Sequence, residues 1–268
     1  MIPIIHDFHV FGYDFSLPTY GLLLAVAFLA ALAVAVRGAR REGIPTVAVT
    51  DLWIYSLLSG VVGAKLLLYL LDWRYYVNNP AAILSSLRSA GVWYGGLLVA
   101  IAVCLVVVRR RGLSGWVMGD IAAPAISLGQ AIGRLGCLAA GCCYGQTCTL
   151  PWAITFTNPR AHEITGVPLN TPLHPTQLYH ALADFSLFLL LLWLRPRRRF
   201  NGQILLIYLI LYALIRVGIE MFRGDPRGAY FGLSTSQILG IAIALVAGWL
   251  YLKRSRAASA ASPITRRG

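Results

Sequence analysis

The sequence predicts an all-α membrane protein with seven transmembrane helices, and three observations lead to this fold class. Of the 268 residues, 58% are hydrophobic and only 12% are charged, whereas a soluble domain averages about 25% charged residues. Seven largely apolar segments have about the 20 residues that a helix needs to cross a bilayer. Basic residues cluster in the short segments between them, which is typical of cytoplasmic loops. A soluble globular protein and a disordered chain are therefore excluded.

Each predicted span rests on its own apolar run. The seven predicted spans are residues 20–36, 47–71, 92–108, 116–140, 177–194, 203–221 and 233–252. The first is not a cleavable signal peptide, because such a peptide begins with basic residues and residues 1–19 contain none. The second carries Lys65, which is either a further cationic group of a site or the partner of an acid such as Asp184. The fourth is the least apolar, since Asp120, Pro124 and Arg134 interrupt it.

The basic residues also predict the orientation of the chain. Fifteen of the 23 follow the odd-numbered spans, within 37–41, 109–111, 195–199 and 253–267. Since Lys and Arg are enriched in cytoplasmic loops, the N-terminus is predicted outside and the C-terminus in the cytoplasm. We expect residues 1–254 to form a single polytopic membrane domain and residues 255–268 a disordered basic cytoplasmic tail. The net charge of +13 is spread over loops rather than one polar face, so no nucleic-acid partner is predicted.

Four polar residues in and after the sixth span are predicted to share one helix face. Tyr212, Arg216, Glu220 and Arg223 are spaced four, four and three residues apart, which places them on one side of a helix. A structural ion pair between Arg216 and Glu220 is one interpretation. A functional site is the other, because charges within a bilayer are costly and Glu preceding Arg would be the better order for a helical pair.

Arg134 in the fourth span has two interpretations as well. It follows Gly129 and Gly133, whose spacing is typical of a close helix contact beside an arginine that reaches towards the membrane surface. Alternatively, the glycines let a ligand approach, and Arg134 and Arg216 together bind an anion. An arginine donates hydrogen bonds in pairs to phosphate, so a phospholipid headgroup would be the expected anion in a bilayer.

Four of the five cysteines lie close together at the end of the fourth span. They are Cys137, Cys142, Cys143 and Cys148. A disulfide framework suits an oxidising exterior, and a reactive thiol would be favoured by the charge of Arg134. Structural free thiols are another possibility, while zinc fits the spacing poorly because two to four residues usually separate its ligands and Cys142 and Cys143 are adjacent. Cys104, alone in an apolar segment, is predicted to be a core residue.

Taken in order, six motifs over about residues 13–252 resemble those of the prolipoprotein diacylglyceryl transferases. The residues that carry the resemblance are Pro18-Thr19-Tyr20-Gly21, Tyr94-Gly95-Gly96, the signature 133–145 (GRLGCLAAGCCYG) with Asp120 and Pro124 before it, His174-Pro175-Thr176-Gln177-Leu178-Tyr179, Arg216 with Glu220 and Arg223, and Gln237-Ile238-Leu239. The family's seven spans and outer-face active site agree with the topology predicted above.

The resemblance implies a reaction at the outer face of the bacterial inner membrane. The lipobox cysteine thiol of a prolipoprotein would displace glycerol phosphate from phosphatidylglycerol and form a thioether to diacylglycerol, without a metal or an organic cofactor. The implied catalytic residues are Tyr94, Arg134, Arg216, Glu220, Cys137 and Cys142. The implied substrate-binding residues are Arg134, Arg216, Tyr20, Tyr212, Gly95, Gly96 and His174.

Three positions depart from the family pattern. Tyr94 stands where the family has a histidine that acts as the base, Cys137 stands for an asparagine, and Cys142 for a glutamate. A tyrosine has a reference pKa of about 10 against about 6.5 for histidine, so Tyr94 is suited to donate a hydrogen bond, and His174 or a cysteine becomes the candidate reacting group. The alternative functions are a membrane thiol-redox enzyme using the four clustered cysteines, a phospholipid-using transferase with another acceptor, and a lipid-binding protein without activity.

Overall fold

The computed structural model describes residues 3–10, 13–86, 91–225, 229–230 and 233–260. The helices in chain order are α1 (Thr19–Arg41), α2 (Thr46–Leu71), α3 (Trp73–Asn78), α4 (Ala81–Ser86), α5 (Trp93–Arg110), α6 (Gly115–Ala140), α7 (Pro159–Thr165), α8 (Thr176–Leu194), α9 (Gln203–Glu220) and α10 (Thr235–Ala260). Within these residues, seven helices are long and apolar enough to cross a membrane, which confirms the predicted fold class. The protein is therefore a multi-pass membrane protein.

Short antiparallel strand pairs complete the secondary structure. The strands are β1 (Ile4–Val10), β2 (Tyr13–Pro18), β3 (Ile154–Thr155), β4 (Pro172–Leu173), β5 (Ala229–Tyr230) and β6 (Leu233–Ser234), and they pair β1 with β2, β3 with β4, and β5 with β6. These strands are not evident from the sequence. The β1–β2 pair lies directly before α1, in the region that precedes the first span.

The seven long helices begin and end within a few residues of the predicted spans, except for the last. Helix α10 continues to Ala260, so residues 255–260 of the predicted disordered tail are helical. The three alanines and Arg256 of this segment favour helix, which explains the extension. Residues 261–268 lie outside the described residues. The orientation of the termini and the single-domain organisation stay predictions.

The chain divides into two compact units, Met1–Ala35 with Gly119–Gly268, and Val36–Met118. In the first unit, α8 and α9 pack together around a core of Leu187, Leu191, Ile204 and Tyr208, to which α6 contributes Ala123. The faces of α8 and α9 that meet in this core are apolar, so their packing holds the two helices side by side. The polar residues on the same two helices are thereby brought together at one end.

Asp120, near the start of α6, is a buried carboxylate whose burial is explained by the hydrogen bonds that it accepts. The helix α9 begins after Gly202, which has no side chain to accept hydrogen bonds from the first backbone amides. The carboxylate of Asp120 accepts them instead, from Gly202 N at 2.7 Å and Leu205 N at 3.0 Å. A negative charge at a helix N-terminus is also favoured by the helix dipole. Asp120 therefore caps α9 from a neighbouring helix.

Residues 141–175, which link α6 to α8, fold around a small core of their own. Phe156, Ala161, Val167 and Leu173 are almost completely buried there. The β3–β4 pair and α7 surround this core, and Gly166 ends α7 in a left-handed conformation with φ 71°. The linking segment is thus an ordered part of the protein that holds the end of α6 and the start of α8.

In the second unit, α2 and α5 cross at close range through glycines. A Cβ atom added to Gly63 would lie 2.5 Å from Gly95 O, and one added to Gly96 would lie 2.7 Å from Gly60 O. A Cβ atom added to Gly95 would likewise lie too close to Gly63 O and to the Leu67 side chain. Small residues let two membrane helices approach until their backbones touch. Gly95 and Gly96, predicted to bind substrate, have a packing role in this structure.

Lys65 and Tyr94 also belong to the second unit. The Lys65 ammonium group donates a hydrogen bond to the backbone carbonyl of Ser86, so a backbone acceptor satisfies this intramembrane cation. Tyr94 lies in the first turn of α5, where 45% of its surface is exposed and its ring meets the edge of Trp93 at 5.3 Å. Its predicted catalytic role stays a prediction.

Candidate functional site

The site is built around the turn that follows α6. Gly141 adopts a left-handed conformation with φ 82°. The amide of Cys142 donates to Cys137 O at 3.1 Å, and that of Gly141 to Leu138 O at 3.3 Å. This pair of hydrogen bonds is the Schellman motif, in which a glycine after the last helical residue reverses the chain. The turn therefore folds Cys142 back over the last turn of α6.

Three thiols converge at this turn, and we call them the thiol cluster: Cys137, Cys142 and Cys143. Their Sγ atoms all lie within 4.8 Å of one another. Cys143 has a φ of 60°, a left-handed conformation uncommon for a side-chain-bearing residue, and this bend lets two consecutive residues face the same point. All three are free thiols, as is Cys148, which lies outside the cluster. The structure thus contains no disulfide among the described cysteines.

The start of α8 holds the thiol cluster in place. The Gln177 side-chain amide donates to Cys142 O at 2.8 Å, and the Thr176 hydroxyl donates to Cys143 O at 2.7 Å. Both side chains are fully buried. The Thr-Gln pair of the predicted His-Pro-Thr-Gln motif is thus a support for the turn, a role that the sequence did not reveal.

The end of α9 is joined to the same segment by backbone hydrogen bonds. Gln146 N donates to Phe222 O at 2.9 Å, and Gly224 N donates to Tyr144 O at 3.2 Å. A Cβ atom on Gly145 would lie 2.8 Å from Phe222 O, so only glycine permits this approach. These contacts bring the end of α9, with its arginines, beside the turn after α6.

Arg216 and Glu220 form the predicted ion pair on α9. Arg216 Nη1 lies 2.6 Å from Glu220 Oε2, and the two side chains are 13% and 5% exposed. The other oxygen of Glu220 accepts a 2.6 Å hydrogen bond from Ser236 on α10. Arg216 Nη1 also lies 3.5 Å from His180 Nε2. Glu220 therefore holds Arg216 in place while the guanidinium also faces α8.

Arg134 lies opposite, on α6, and its surroundings differ from those of Arg216. The guanidinium lies against the hydroxyl of Tyr212 and within electrostatic range of Cys137 and Cys143. Among the described residues, no carboxylate forms an ion pair with Arg134. Gly133 beside it has open space where a Cβ would stand, whereas a Cβ added to Gly129 would lie 3.4 Å from the Cβ of Ala31. One glycine thus serves the predicted helix contact and the other leaves room next to the cation.

Arg223 is the third cation of the site. Its Nε and Nη2 atoms donate to the two carboxylate oxygens of Asp225 at 2.8 and 2.9 Å. Burial lowers the pKa of Arg223, but the hydrogen bonds to Asp225 and the neighbouring Cys143 thiol raise it overall.

Hydrogen bonds from Cys137 and Cys142, together with the charge of Arg223, lower the pKa of Cys143. Hydrogen bonds of Cys142 to Cys137 and to Cys143 raise the pKa of Cys142, so the thiolate is favoured at Cys143.

Two ionisable residues of α8 are not assigned to the site from the sequence, where Asp184 is considered only as a partner for Lys65 and His180 is not singled out. His180 and Asp184 are completely buried, and within the described part of the chain His180 Nδ1 and both carboxylate oxygens of Asp184 have no hydrogen-bond partner. Arg134 and Arg216 lie within electrostatic range of both residues. Their spacing of four residues within a predicted span is the same signal that revealed Arg216 and Glu220, and it could have revealed this pair.

Two further predicted residues lie around this centre. Tyr20, at the start of α1, contacts Gly136, whose Cβ would be 3.2 Å from the tyrosine ring, and it lies near the thiol cluster. His174 hydrogen-bonds through Nδ1 to the Tyr179 hydroxyl at 3.2 Å and packs against Phe222 at 5.2 Å. The histidine that faces Arg216 is therefore His180. The structure brings seven of the candidate residues near one another in the first unit: Arg134, Arg216, Glu220, Tyr212, Tyr20, Cys137 and Cys142.

Comparison with known proteins points to one family. The family model described as prolipoprotein diacylglyceryl transferase matches residues 8–253. A phosphatidylglycerol–prolipoprotein diacylglyceryl transferase of Finegoldia magna is 37% identical over 249 residues, which cover 92% of this chain and 94% of that protein. Proteins of the same name from Clostridium tetani and Synechococcus elongatus are each 33% identical, over 87% and 90% of this chain and 91% and 86% of their own lengths. With the signature turn and the paired arginines in place, these matches show that the chain belongs to the prolipoprotein diacylglyceryl transferase family.

Proposed function

We propose that this protein transfers a diacylglyceryl group from phosphatidylglycerol to the lipobox cysteine thiol of a prolipoprotein. The relatives carry this activity in their names, and phosphatidylglycerol and a prolipoprotein are accordingly the proposed substrates. The observation that carries the proposal is Arg134, a partly buried cation with no ion-pair partner among the described carboxylates. A buried charge requires a counter-charge, and the phosphodiester of the lipid supplies one.

Two arginines on different helices are suited to bind the phosphate of the leaving group. Arg134 comes from α6 and Arg216 from α9, so the phosphate would bind between two guanidinium groups. In the reaction the acceptor sulfur bonds to the glycerol carbon of diacylglycerol, and the C–O bond to phosphate breaks. The electron pair of that bond leaves with glycerol phosphate, which gains negative charge. Cations placed at the developing charge stabilise the transition state more than the ground state.

The side chains beside Arg134 and Arg216 contribute to the site by contacting and positioning these two arginines. Glu220 fixes the position of Arg216 by the 2.6 Å ion pair, and Tyr212 lies where its hydroxyl meets Arg134. Gly133 leaves open space beside Arg134, which a headgroup would occupy. We assign Tyr20 a hydrogen bond to the lipid or to the acceptor, since it lies near both Arg134 and the thiol cluster.

We further propose that the reaction takes place at the outer face of the bacterial inner membrane. The distribution of basic residues supports this orientation, because it predicts the N-terminus and the linking segment 141–175 on the outer side. Arg134 is six residues from the end of α6 and Arg216 four residues from the end of α9, so both lie near that face. A secreted precursor whose cysteine emerges from the membrane would reach the site there.

The test is a transfer assay with the purified full-length protein in detergent. Phosphatidylglycerol and a synthetic lipobox peptide are incubated with the protein, and mass spectrometry detects the gain of one diacylglyceryl group. Arg134→Ala and Arg216→Ala should reduce transfer at least about a hundredfold, the loss expected for a missing transition-state contact. Arg160→Ala, an exposed arginine of α7, is the matched control and should retain full activity. Full activity in Arg134→Ala protein would contradict the assignment of the phosphate site.

A further inference from the structure

We propose that Cys137, Cys142 and Cys143 bind one zinc ion and that the acceptor thiol of the prolipoprotein is its fourth ligand. The second half of this proposal rests on the proposed function, whereas the zinc site itself does not. The sequence argued against zinc because two of the cysteines are adjacent. The structure removes that objection, because the left-handed conformation of Cys143 turns both side chains towards Cys137.

The geometry of the thiol cluster fits a three-thiolate site. Zinc–sulfur bonds of about 2.3 Å in a tetrahedron place the sulfur atoms about 3.8 Å apart. The three Sγ atoms already lie within 4.8 Å of one another, so closing around an ion requires each pair to approach by about 1 Å or less. Catalytic zinc sites use three protein ligands and keep the fourth position open. The thiol cluster supplies three ligands of the soft type that zinc prefers.

The cluster is held by contacts that do not depend on an ion. The turn at Gly141 places Cys142 over Cys137, and Gln177 and Thr176 bind the carbonyls of Cys142 and Cys143. Buried partners that orient the ligand-bearing backbone are typical of metal sites.

The charges beside the cluster also suit this assignment. Three thiolates around Zn²⁺ carry one net negative charge, and a fourth thiolate makes it two. Arg134 lies within range of Cys137 and Cys143, and Arg223 lies beside Cys143. Buried negative charge requires such compensation. The same Arg134 faces the proposed phosphate site, so a thiolate bound to zinc would lie near the lipid that it attacks.

The zinc ion would supply the acceptor activation for which Tyr94 is poorly suited. A thiol that coordinates zinc loses its proton outright, so no base with a pKa near 7 is needed where the family has a histidine and this chain has Tyr94. The bound sulfur then forms the S–C bond to the glycerol carbon as the C–O bond breaks. The departing glycerol phosphate takes that electron pair, and the thiol proton passes to the phosphate or to water.

The first measurement is metal content, which is independent of activity. The full-length protein is purified without chelators, and its zinc content is measured by inductively coupled plasma mass spectrometry. About one zinc per chain is expected, and the variants Cys137→Ser, Cys142→Ser and Cys143→Ser should each lose at least about tenfold in zinc affinity. Cys148→Ser is the matched control, because it lies in the same segment but outside the cluster. Thermal unfolding of each variant shows whether it has folded.

Cobalt substitution tests the number of thiolate ligands without relying on the variants. Co²⁺ added to metal-free wild-type protein should produce a thiolate-to-cobalt absorption band at about one equivalent. Adding the lipobox peptide should increase this band, and a peptide with serine for cysteine should not. No band in folded protein, absence of zinc, or a stoichiometric metal other than zinc would overturn the site. An unchanged band with the cysteine peptide would overturn the role of the acceptor as a ligand.

The transfer assay separates this proposal from the proposed function. Chelation should abolish transfer and added zinc should restore it, with phosphatidylglycerol binding unchanged. Full transfer by metal-free protein would overturn the zinc proposal and leave the function standing. Zinc-loaded protein that binds the peptide but transfers nothing would overturn the function and leave the metal site standing.

Discussion

The side-chain amide of Gln177 donates a 2.8 Å hydrogen bond to the backbone carbonyl of Cys142, which precedes it by 35 residues. Gln177 is completely buried, so this contact joins the start of α8 to the turn after α6 away from water. Thr176 makes the corresponding bond to Cys143. The thiols are therefore placed by a neighbouring helix as well as by their own turn.

Removing this contact should loosen the thiol cluster. In Gln177→Ala protein the buried carbonyl of Cys142 loses its donor, which costs about 1–3 kcal/mol of folding free energy. We also expect zinc affinity and transfer to fall about 10- to 100-fold, the usual effect of losing a group that orients metal ligands. Thermal unfolding, zinc content and the transfer assay measure these three effects. Thr176→Ser, which retains its hydroxyl donor, should resemble the wild type, and equal losses in both variants would contradict the hydrogen-bond explanation.

The ion pair between Arg216 and Glu220 can be tested by exchanging its members. Glu220→Ala leaves a buried guanidinium without its partner and should destabilise the protein by about 3 kcal/mol or more. The exchange Arg216→Glu with Glu220→Arg restores a pair, in the order that is better for a helix. Thermal unfolding should therefore show recovered stability, while the transfer assay shows no activity because the guanidinium has moved by one helical turn. Recovery of transfer in the exchanged protein would mean that the pair is purely structural.

Asp120 should affect stability without affecting the reaction. Asp120→Ala removes the acceptor for Gly202 N and Leu205 N, and a hydrogen bond to a charged group is worth about 1.5–3 kcal/mol. Asp120→Asn keeps one oxygen acceptor and should lose less. Arg134 follows Asp120 by 14 positions on the same helix, or about 21 Å, so transfer per folded molecule should be unchanged. Reduced transfer in folded Asp120→Asn protein would contradict this separation.

The close contact between α2 and α5 in the second unit predicts that a side chain at either of two glycine positions will destabilise the protein. Gly95→Ala and Gly96→Ala place a methyl group against the backbone of α2, and overpacking of this kind costs about 1–3 kcal/mol. Gly248→Ala, in α10 with open space at its Cβ position, is the matched control and should be neutral or slightly stabilising. Thermal unfolding in detergent distinguishes them. If Gly95→Ala protein unfolds like the wild type but has lost phosphatidylglycerol binding, the glycine serves the substrate instead.

The site was only partly predictable from the sequence. The spacing of Arg216 and Glu220 is local to one helix, so their ion pair could be predicted from it. His174 is a candidate reacting group from the sequence, yet His180 faces Arg216, because His174 lies before α8 and its ring packs against Tyr179 and Phe222. Which histidine meets the arginine depends on the packing of α8 against α9.

The seven spans are predictable from the sequence alone, because a chain in lipid must satisfy its backbone hydrogen bonds within each helix and an apolar run of sufficient length is visible locally. The family is predictable too, through motifs that keep their order along the chain. Three features depend on the folded chain: Cys137, Cys142 and Cys143 meet, Gln177 and Thr176 hold them, and Arg134 has an open space beside it. These relationships join residues on different helices or depend on the left-handed backbone of Gly141 and Cys143, and spacing along a regular helix or strand cannot express either.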